Sequence, residues 1–210
     1  MGDAIKKGAE LLRWVGPPVG RLGPGGGFNP DRFLRHLLNA VSKERFEDLE
    51  IPLLVVASDF WTAKEVVFES GELLPAIRSS IAVPGVFAPV SLGGRVLVDG
   101  GLLNQVPYDH LRERCDVTIA VDVCSSRGSD DQTLPNVLEA LLGAFDIMQS
   151  AAVKVKMGLC SPDIYIRPHV GNIPILDFAK AEKVFEQAKP AIADLRGQIA
   201  RKGLISSASA

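Results

Sequence analysis

The sequence of 210 residues has little cysteine, and its three cysteines, Cys115, Cys124 and Cys160, are scattered. An odd number without metal-ligand spacing argues against a disulfide framework or a zinc site, and it favours reduced thiols in the cytoplasm. The acidic residues do not cluster with histidine or cysteine either. We therefore expect no metal ion and no other cofactor.

Long apolar runs and runs of like charge are also absent. No stretch approaches the ~18 apolar residues of a membrane-spanning helix, and the first residues lack the charged-then-apolar layout of a signal peptide. The net charge is only -2 and no basic stripe is present, so nucleic acid is not an expected partner. Any membrane contact is expected to be peripheral.

What remains is the composition of a soluble α/β protein, with 47% hydrophobic and 23% charged residues. Predicted strands alternate with predicted helices, the strands over 51–57, 65–68, 95–98, 117–123 and 163–166, the helices over 72–81, 108–114, 134–158 and 177–201. This alternation predicts a three-layer α/β/α fold with a mostly parallel central sheet. We expect one domain over 1–210, with a disordered tail at 202–210.

The segment RVLVDGGLLNQVP, residues 95–107, is the most informative part of the chain. A short β-branched run delivers Asp99 and then Gly100 and Gly101, and ligands of open α/β sheets bind at the carboxyl ends of strands. Asp99 is therefore a candidate general base, and the alternative is a turn cap. The glycines are expected to turn the backbone through positive φ and to let another group approach closely.

Other polar and aromatic side chains near strand ends are weaker candidates. Ser58 is expected to satisfy its hydroxyl on the backbone, Asn104 to bond the backbone of its turn, and Asp122 to cap a turn, whereas the role of Asp59 stays open. Three aromatic residues either border an acyl-chain groove or pack in the core or a lid: Phe60, Trp61 and Phe87. The histidines His36, His110 and His169 form no triad and are expected to be surface or packing residues.

Several blocks, taken in order and spacing, resemble the patatin-like phospholipase family, close to its bacterial single-domain branch. They are FEDLEIPLLVVASDFWTAKEVVFESGEL, AIRSSIAVPGVFAPV, GRVLVDGGLLNQVP, CDVTIAVDV and SPDIYIRPHVGNIPILDFAKAEKVFEQA. The resemblance runs from about residue 28 to about 195 and corresponds to the C-terminal two-thirds of the family's domain.

The resemblance implies a lipid acyl hydrolase that uses a Ser–Asp dyad without histidine. Asp99 matches the dyad aspartate, and Gly100 and Gly101 match its supporting glycines. A carboxylate of raised pKa would take the serine proton and return it to the leaving group. Lipid or another acyl ester is the implied substrate, and calcium is not implied.

The sequence departs from the family at the nucleophile, because no G-x-S-x-G occurs in the 210 residues. Gly25–Gly27 does not replace the family's oxyanion loop, since no apolar strand precedes it. We expect the chain to be a truncated hydrolase that is inactive alone, through truncation, a split gene or a late start codon.

Two alternatives are a non-catalytic remnant that binds lipid or a partner, and an unrelated hydrolase with another nucleophile. If the first strand and the nucleophile helix are missing, a sheet edge is uncovered. We therefore expect self-association through that exposed edge.

Overall fold

The computed structural model describes residues 30–31, 34–35, 38–39, 42–123, 134–171 and 180–204. The chain divides into two compact units, one ending at Gln105 and the other beginning at Val106. The expected single domain over 1–210 stays a prediction. Residues 205–210 of the predicted tail lie outside the described residues, as do the glycines at 25–27.

The first unit contains a four-stranded antiparallel sheet. Its strands are β1 (Val55–Asp59), β2 (Lys64–Phe68), β3 (Val90–Leu92) and β4 (Arg95–Asp99), in the spatial order β2-β1-β4-β3. Each of the three neighbouring pairs is antiparallel. The α/β class is confirmed, but this sheet is not the mostly parallel one that the sequence predicted.

Two tight connections impose two of the three antiparallel pairings. Residues 60–63 join β1 to β2, and Gly93 and Gly94 join β3 to β4 with φ angles of 58° and 74°. Two consecutive positive φ angles are what a two-residue type I′ hairpin requires. Strands joined by so short a turn pair antiparallel, because a parallel pair needs a crossover of a dozen or more residues.

Helix α1 (Leu73–Ser80) packs against one face of this sheet. Leu73 and Ala76 are three residues apart, so they share a helix face, and they form a buried cluster with Phe46 and Val55. Four further buried side chains form a second cluster: Ala57, Ala82, Val90 and Leu97. Burying a side chain such as Leu97, which is 1% exposed, contributes about 1.5–3 kcal/mol and anchors β4 ahead of Asp99.

The second unit contains a parallel pair of strands, β5 (Ile119–Val121) and β6 (Ile164–Ile166). Helix α2 (Val137–Leu159) lies between them in sequence and begins with a capping box made by Asn136 and Glu139. Helix α3 (Ala181–Arg201) follows. A parallel pair connected through a helix is the arrangement that the alternating pattern predicted for the whole protein.

Several element boundaries differ from the prediction. The strand predicted over 51–57 begins at Val55, and Ile51 is 80% exposed. The helix predicted over 108–114 is a short 3₁₀ helix, Tyr108–Leu111. Helix α3 is continuous through Pro190. None of the helices within the described ranges is long and apolar enough to cross a membrane.

Candidate active site

Asp99 is the last residue of β4 and pairs with Ala57 of β1. Its backbone N–H donates to the carbonyl oxygen of Ala82 at 3.0 Å, which fixes the end of the strand. Its carboxylate oxygen Oδ1 accepts a 2.7 Å hydrogen bond from the N–H of Gly101. Asp99 thereby caps the 3₁₀ helix Gly100–Leu102. The predicted turn cap is therefore found, and it involves the same carboxylate that is the candidate base.

Glycine is required at position 100 because the backbone of Val56 lies too close for a side chain, not because of its φ angle. A Cβ atom at this position would lie 2.1 Å from the carbonyl oxygen of Val56 and 2.7 Å from its carbonyl carbon. Neither Gly100 nor Gly101 adopts a positive φ, because the two residues form the 3₁₀ turn. The predicted close approach is therefore found at Gly100, and the predicted positive φ is wrong for both glycines.

Burial raises the pKa of the Asp99 carboxyl above its ordinary value, and the hydrogen bond from Gly101 opposes this rise. Desolvation disfavours the charged form, which makes the ionised carboxylate a stronger proton acceptor than an exposed one. A general base that takes a proton from a hydroxyl gains from such a shift. The electrostatics at the end of β4 thus fit acid–base chemistry.

Asn104 closes the turn that begins at Asp99. Its backbone N–H donates to the carbonyl oxygen of Gly100 at 2.9 Å, and its side-chain Nδ2 donates to Oε2 of Glu65 at 3.1 Å. Asn104 is only 7% exposed, whereas Glu65 lies on the outer strand β2 and is exposed. The sequence predicted backbone bonding for Asn104 and missed Glu65, which no local signal links to a residue 39 positions away.

Asp59 caps the connection between β1 and β2. Its Oδ1 accepts hydrogen bonds from the N–H groups of Trp61 at 3.1 Å and Thr62 at 3.3 Å. Burial pushes the pKa of Asp59 upward, but these N–H groups and the charge of Arg95 outweigh it, so the net pKa is lowered. A lowered pKa makes a poor base, and this distinguishes Asp59 from Asp99.

Phe60 and Trp61 project from the connection after β1, where they are 53% and 77% exposed and their rings meet edge to face at 5.0 Å. The N–H of Phe60 donates to the carbonyl oxygen of Val96, near the start of β4. Three residues of strand separate Val96 from Asp99, about 10 Å. These exposed rings are therefore not core residues, and the backbone of Phe60 lies about three strand residues from Asp99. Phe87 is half-buried.

Ser58 is the second-last residue of β1, pairs with Val98 and is 3% exposed. Its Oγ makes no hydrogen bond with any of the residues that the structure describes. The predicted backbone partner is thus not found, since the neighbouring carbonyl groups of a central strand are engaged in the ladder. An unsatisfied buried hydroxyl costs about 1–3 kcal/mol, which makes this position unusual.

The family model for patatin-like phospholipase matches residues 6–112, a span that contains β1 to β4 and the whole turn after Asp99. The chain belongs to the patatin-like phospholipase family. The resemblance seen in the sequence is therefore confirmed.

Related proteins extend the similarity into the second unit. The patatin-like chain is 36% identical over 129 residues to an uncharacterized NTE family protein of Mycobacterium tuberculosis strain H37Rv, which covers 60% of this chain and 35% of that protein. A second such protein of that strain is 28% identical over 220 residues, covering 90% of this chain and 36% of that protein. Lysophospholipase NTE1 of Kluyveromyces lactis is 24% identical over 180 residues, covering 73% of this chain and 12% of that protein. The chain spans about a third of the length of the mycobacterial relatives.

In the second unit of this patatin-like chain, Asp122 is 2% exposed and joins β5 to β6. It accepts a 2.6 Å hydrogen bond from the hydroxyl of Tyr165, and its Oδ2 lies 3.7 Å from Nε of Arg167. The sequence predicts that Asp122 caps the following turn, and residues 124–133 lie outside the described part of the chain. The observed contacts make Asp122 a link between the two strands.

The remaining polar candidates form no second centre in the described ranges. His110 lies in the 3₁₀ helix Tyr108–Leu111, His169 follows β6, and His36 is outside the described residues. No group of three or more histidine, cysteine, aspartate or glutamate side chains is placed to hold a metal ion within those same ranges. The turn from Asp99 to Asn104 is therefore the best-supported candidate site.

Proposed function

We propose that the protein is a lipid acyl hydrolase in which Asp99 is the general base of a Ser–Asp dyad. The observation that carries the proposal is the half-buried carboxylate at the end of β4, whose pKa is raised by desolvation and which accepts a hydrogen bond from the N–H of Gly101. Membership of the patatin-like phospholipase family supports the same reaction class.

The proposed reaction proceeds through an acyl-enzyme. Asp99 takes the proton from a serine hydroxyl as that oxygen attacks the ester carbonyl, and the proton then passes to the leaving alcohol. In the second half, Asp99 takes a proton from water, the hydroxide attacks the acyl-enzyme, and the serine leaves with that proton as the fatty acid is released. A carboxylate that is neither strongly acidic nor neutral at the working pH suits both halves.

We propose that the nucleophile is supplied by a segment outside this sequence, because no G-x-S-x-G motif occurs in the 210 residues. The 210-residue chain alone is then inactive. Lysophospholipids are the proposed substrates, since one relative carries the name lysophospholipase.

The test compares two polypeptides, this chain and the product of the same gene read from the next upstream in-frame start codon. Fatty acid release from a lysophospholipid is measured for both. The proposal expects release only from the longer polypeptide, with a G-x-S-x-G segment in its added part. An upstream region without such a segment, together with lysophospholipid binding but no release, would instead support the non-catalytic remnant.

A further inference from the structure

A row of three side chains, two of them polar, crosses the face of the four-stranded sheet opposite helix α1. The register pairs Glu65 of β2 with Ser58 of β1, and Ser58 with Val98 of β4. Directly paired residues of antiparallel strands point to the same face, so these three side chains share one row. Ala57, paired with Asp99, and Leu97, paired with Asp59, lie in the two flanking rows. Those rows point to the other face, where Val55 packs against helix α1.

The side chain of Asn104 reaches the far end of this row. Its Nδ2 donates to Glu65 on β2, although its own turn starts at the end of β4. Strands β2 and β4 are not neighbours, since β1 lies between them. The hydrogen bond therefore ties the turn after Asp99 to the outermost strand, across the strand that Gly100 touches.

Two short connections link this bond to the carboxylate of Asp99. The N–H of Asn104 donates to the carbonyl oxygen of Gly100 at 2.9 Å, and the N–H of Gly101 donates to Oδ1 of Asp99 at 2.7 Å. The backbone of Gly100 also lies against Val56 so closely that a Cβ would overlap its carbonyl group. A turn held at both ends in this way has little freedom to shift.

We propose that Glu65 and Asn104 are positioning residues that hold the Asp99–Gly101 turn on the sheet and thereby fix the orientation of the Asp99 carboxylate. The inference rests on the proposed function of Asp99 as a base. Under this proposal, the outer strand β2 holds in place a turn that begins at the end of β4, two strands away.

The alternative is that the pair merely satisfies a buried amide. Asn104 is 7% exposed, and a buried amide is generally hydrogen-bonded in any case. The two explanations differ in their consequences for Asp99. A positioning role makes the Asp99–Gly101 bond depend on Glu65, whereas a merely structural role leaves that bond unchanged when the chain stays folded.

The experiment measures two properties of the 210-residue chain by NMR. One is the titration midpoint of the Asp99 carboxyl carbon, and the other is the hydrogen-exchange rate of the Gly101 amide. Asn104→Ala and Glu65→Ala are expected to lower the Asp99 midpoint toward its ordinary value, because a released turn hydrates the carboxyl and burial is the larger cause of the raised pKa. Exchange at Gly101 is expected to rise about tenfold or more, as for a lost hydrogen bond to a charged group.

Two matched variants separate positioning from charge and from general loosening. Glu65→Gln removes the same negative charge but keeps an oxygen that accepts from Asn104, so it should preserve slow exchange at Gly101. Ser58→Ala removes the unpartnered hydroxyl from the same row, and both Asp99 properties should stay at their original values. Glu65 lies on an exposed edge, so its variants keep the test valid if Asn104→Ala fails to fold.

The outcomes distinguish this inference from the proposed function. Unchanged Gly101 exchange in folded Glu65→Ala and Asn104→Ala chains would overturn the positioning role. Equally fast exchange in Glu65→Gln and Glu65→Ala would show that charge, not the hydrogen bond, matters, and would also overturn it. If Asp99 titrates at its ordinary pKa in the original chain, that result counts against its proposed role as a base. The Gly101 exchange rates then still test the positioning role of Glu65 and Asn104.

Discussion

At the scale of single residues, Asp99 and Asp59 show how two strand-end aspartates acquire opposite properties. Both terminate apolar strands, and the sequence identified Asp99 as a candidate base but left Asp59 open. Asp59 accepts two N–H groups within its own turn and its pKa is lowered, whereas Asp99 accepts one and its pKa is raised by burial. Burial and turn geometry depend on tertiary packing, so the sequence alone does not separate the two.

The pH dependence of stability follows from these opposite shifts. A raised folded-state pKa means that Asp99 stabilises the fold below its unfolded pKa, and that this stability is lost as the pH rises through its folded pKa. Asp99→Asn, which keeps an oxygen for the Gly101 bond, is therefore expected to raise the unfolding temperature at pH 7, with the gain shrinking toward pH 4.

Asp59→Asn should lower the unfolding temperature at pH 7. The lowered pKa of Asp59 stabilises the fold above its unfolded pKa, and this stability is lost as the pH falls through the folded pKa. Thermal unfolding scans at several pH values check both, and a destabilised Asp99→Asn chain at pH 7 would contradict the assignment of burial as the cause.

Gly100 provides a second test at this scale. Gly100→Ala places a Cβ 2.1 Å from the Val56 carbonyl oxygen, which forces backbone movement and is expected to cost about 1–3 kcal/mol of unfolding free energy. Gly158→Ala is the control, because this helical glycine has nothing within 4 Å of the added Cβ and alanine favours helix. Urea unfolding measures both, and equal stability of the two variants would show that the close approach is not rigid.

At the scale of elements, strand positions were predicted better than their pairing. The apolar runs before Asp59 and Asp99 are β1 and β4, as expected from β-branched residues bounded by glycine and polar turns. The direction of pairing was missed because the alternation with helices was extended to the whole chain. The dipeptide Gly93–Gly94 between two short apolar runs was the available signal for an antiparallel hairpin.

The hairpin between β3 and β4 makes a prediction that concerns backbone conformation only. Gly94 has φ of 74° and nothing within 4 Å of an added Cβ, so Gly94→Ala costs about 1–2 kcal/mol through the left-handed conformation itself. Gly94→Asn should cost less, because asparagine tolerates this region. Urea unfolding of the two variants checks the order, and a Gly94→Ala chain as stable as the original would argue against the type I′ turn.

At the scale of the whole molecule, each unit leaves apolar surface exposed among the described residues. In the second unit, Ile119 and Val121 of β5 are 44% and 49% exposed, and Ile147 and Val155 of α2 are 70% and 64% exposed. Parallel strands are ordinarily covered on both faces, so an exposed parallel pair is unusual. Composition alone gave no sign of this, since it counts apolar residues without locating them.

This surface supports the proposal that the chain associates with itself. Sedimentation velocity of the 210-residue chain is expected to show oligomers that grow with concentration, and a hydrophobic dye is expected to bind. Val121→Lys, which places a charge on the exposed strand β5, should shift the distribution toward monomer. A stable monomer that binds no dye would refute the self-association proposal.

The most direct measurement is the rate of fatty acid release from a lysophospholipid by the longer polypeptide that carries a G-x-S-x-G segment, compared with its Asp99→Asn and Asp59→Asn variants. The account predicts that Asp99→Asn lowers kcat at least about a thousandfold, as loss of a dyad member does. Asp59→Asn, two strand residues or about 7 Å along the sheet from Asp99, should keep kcat within about tenfold. Undiminished release by the Asp99→Asn variant would contradict the assignment of Asp99 as the base.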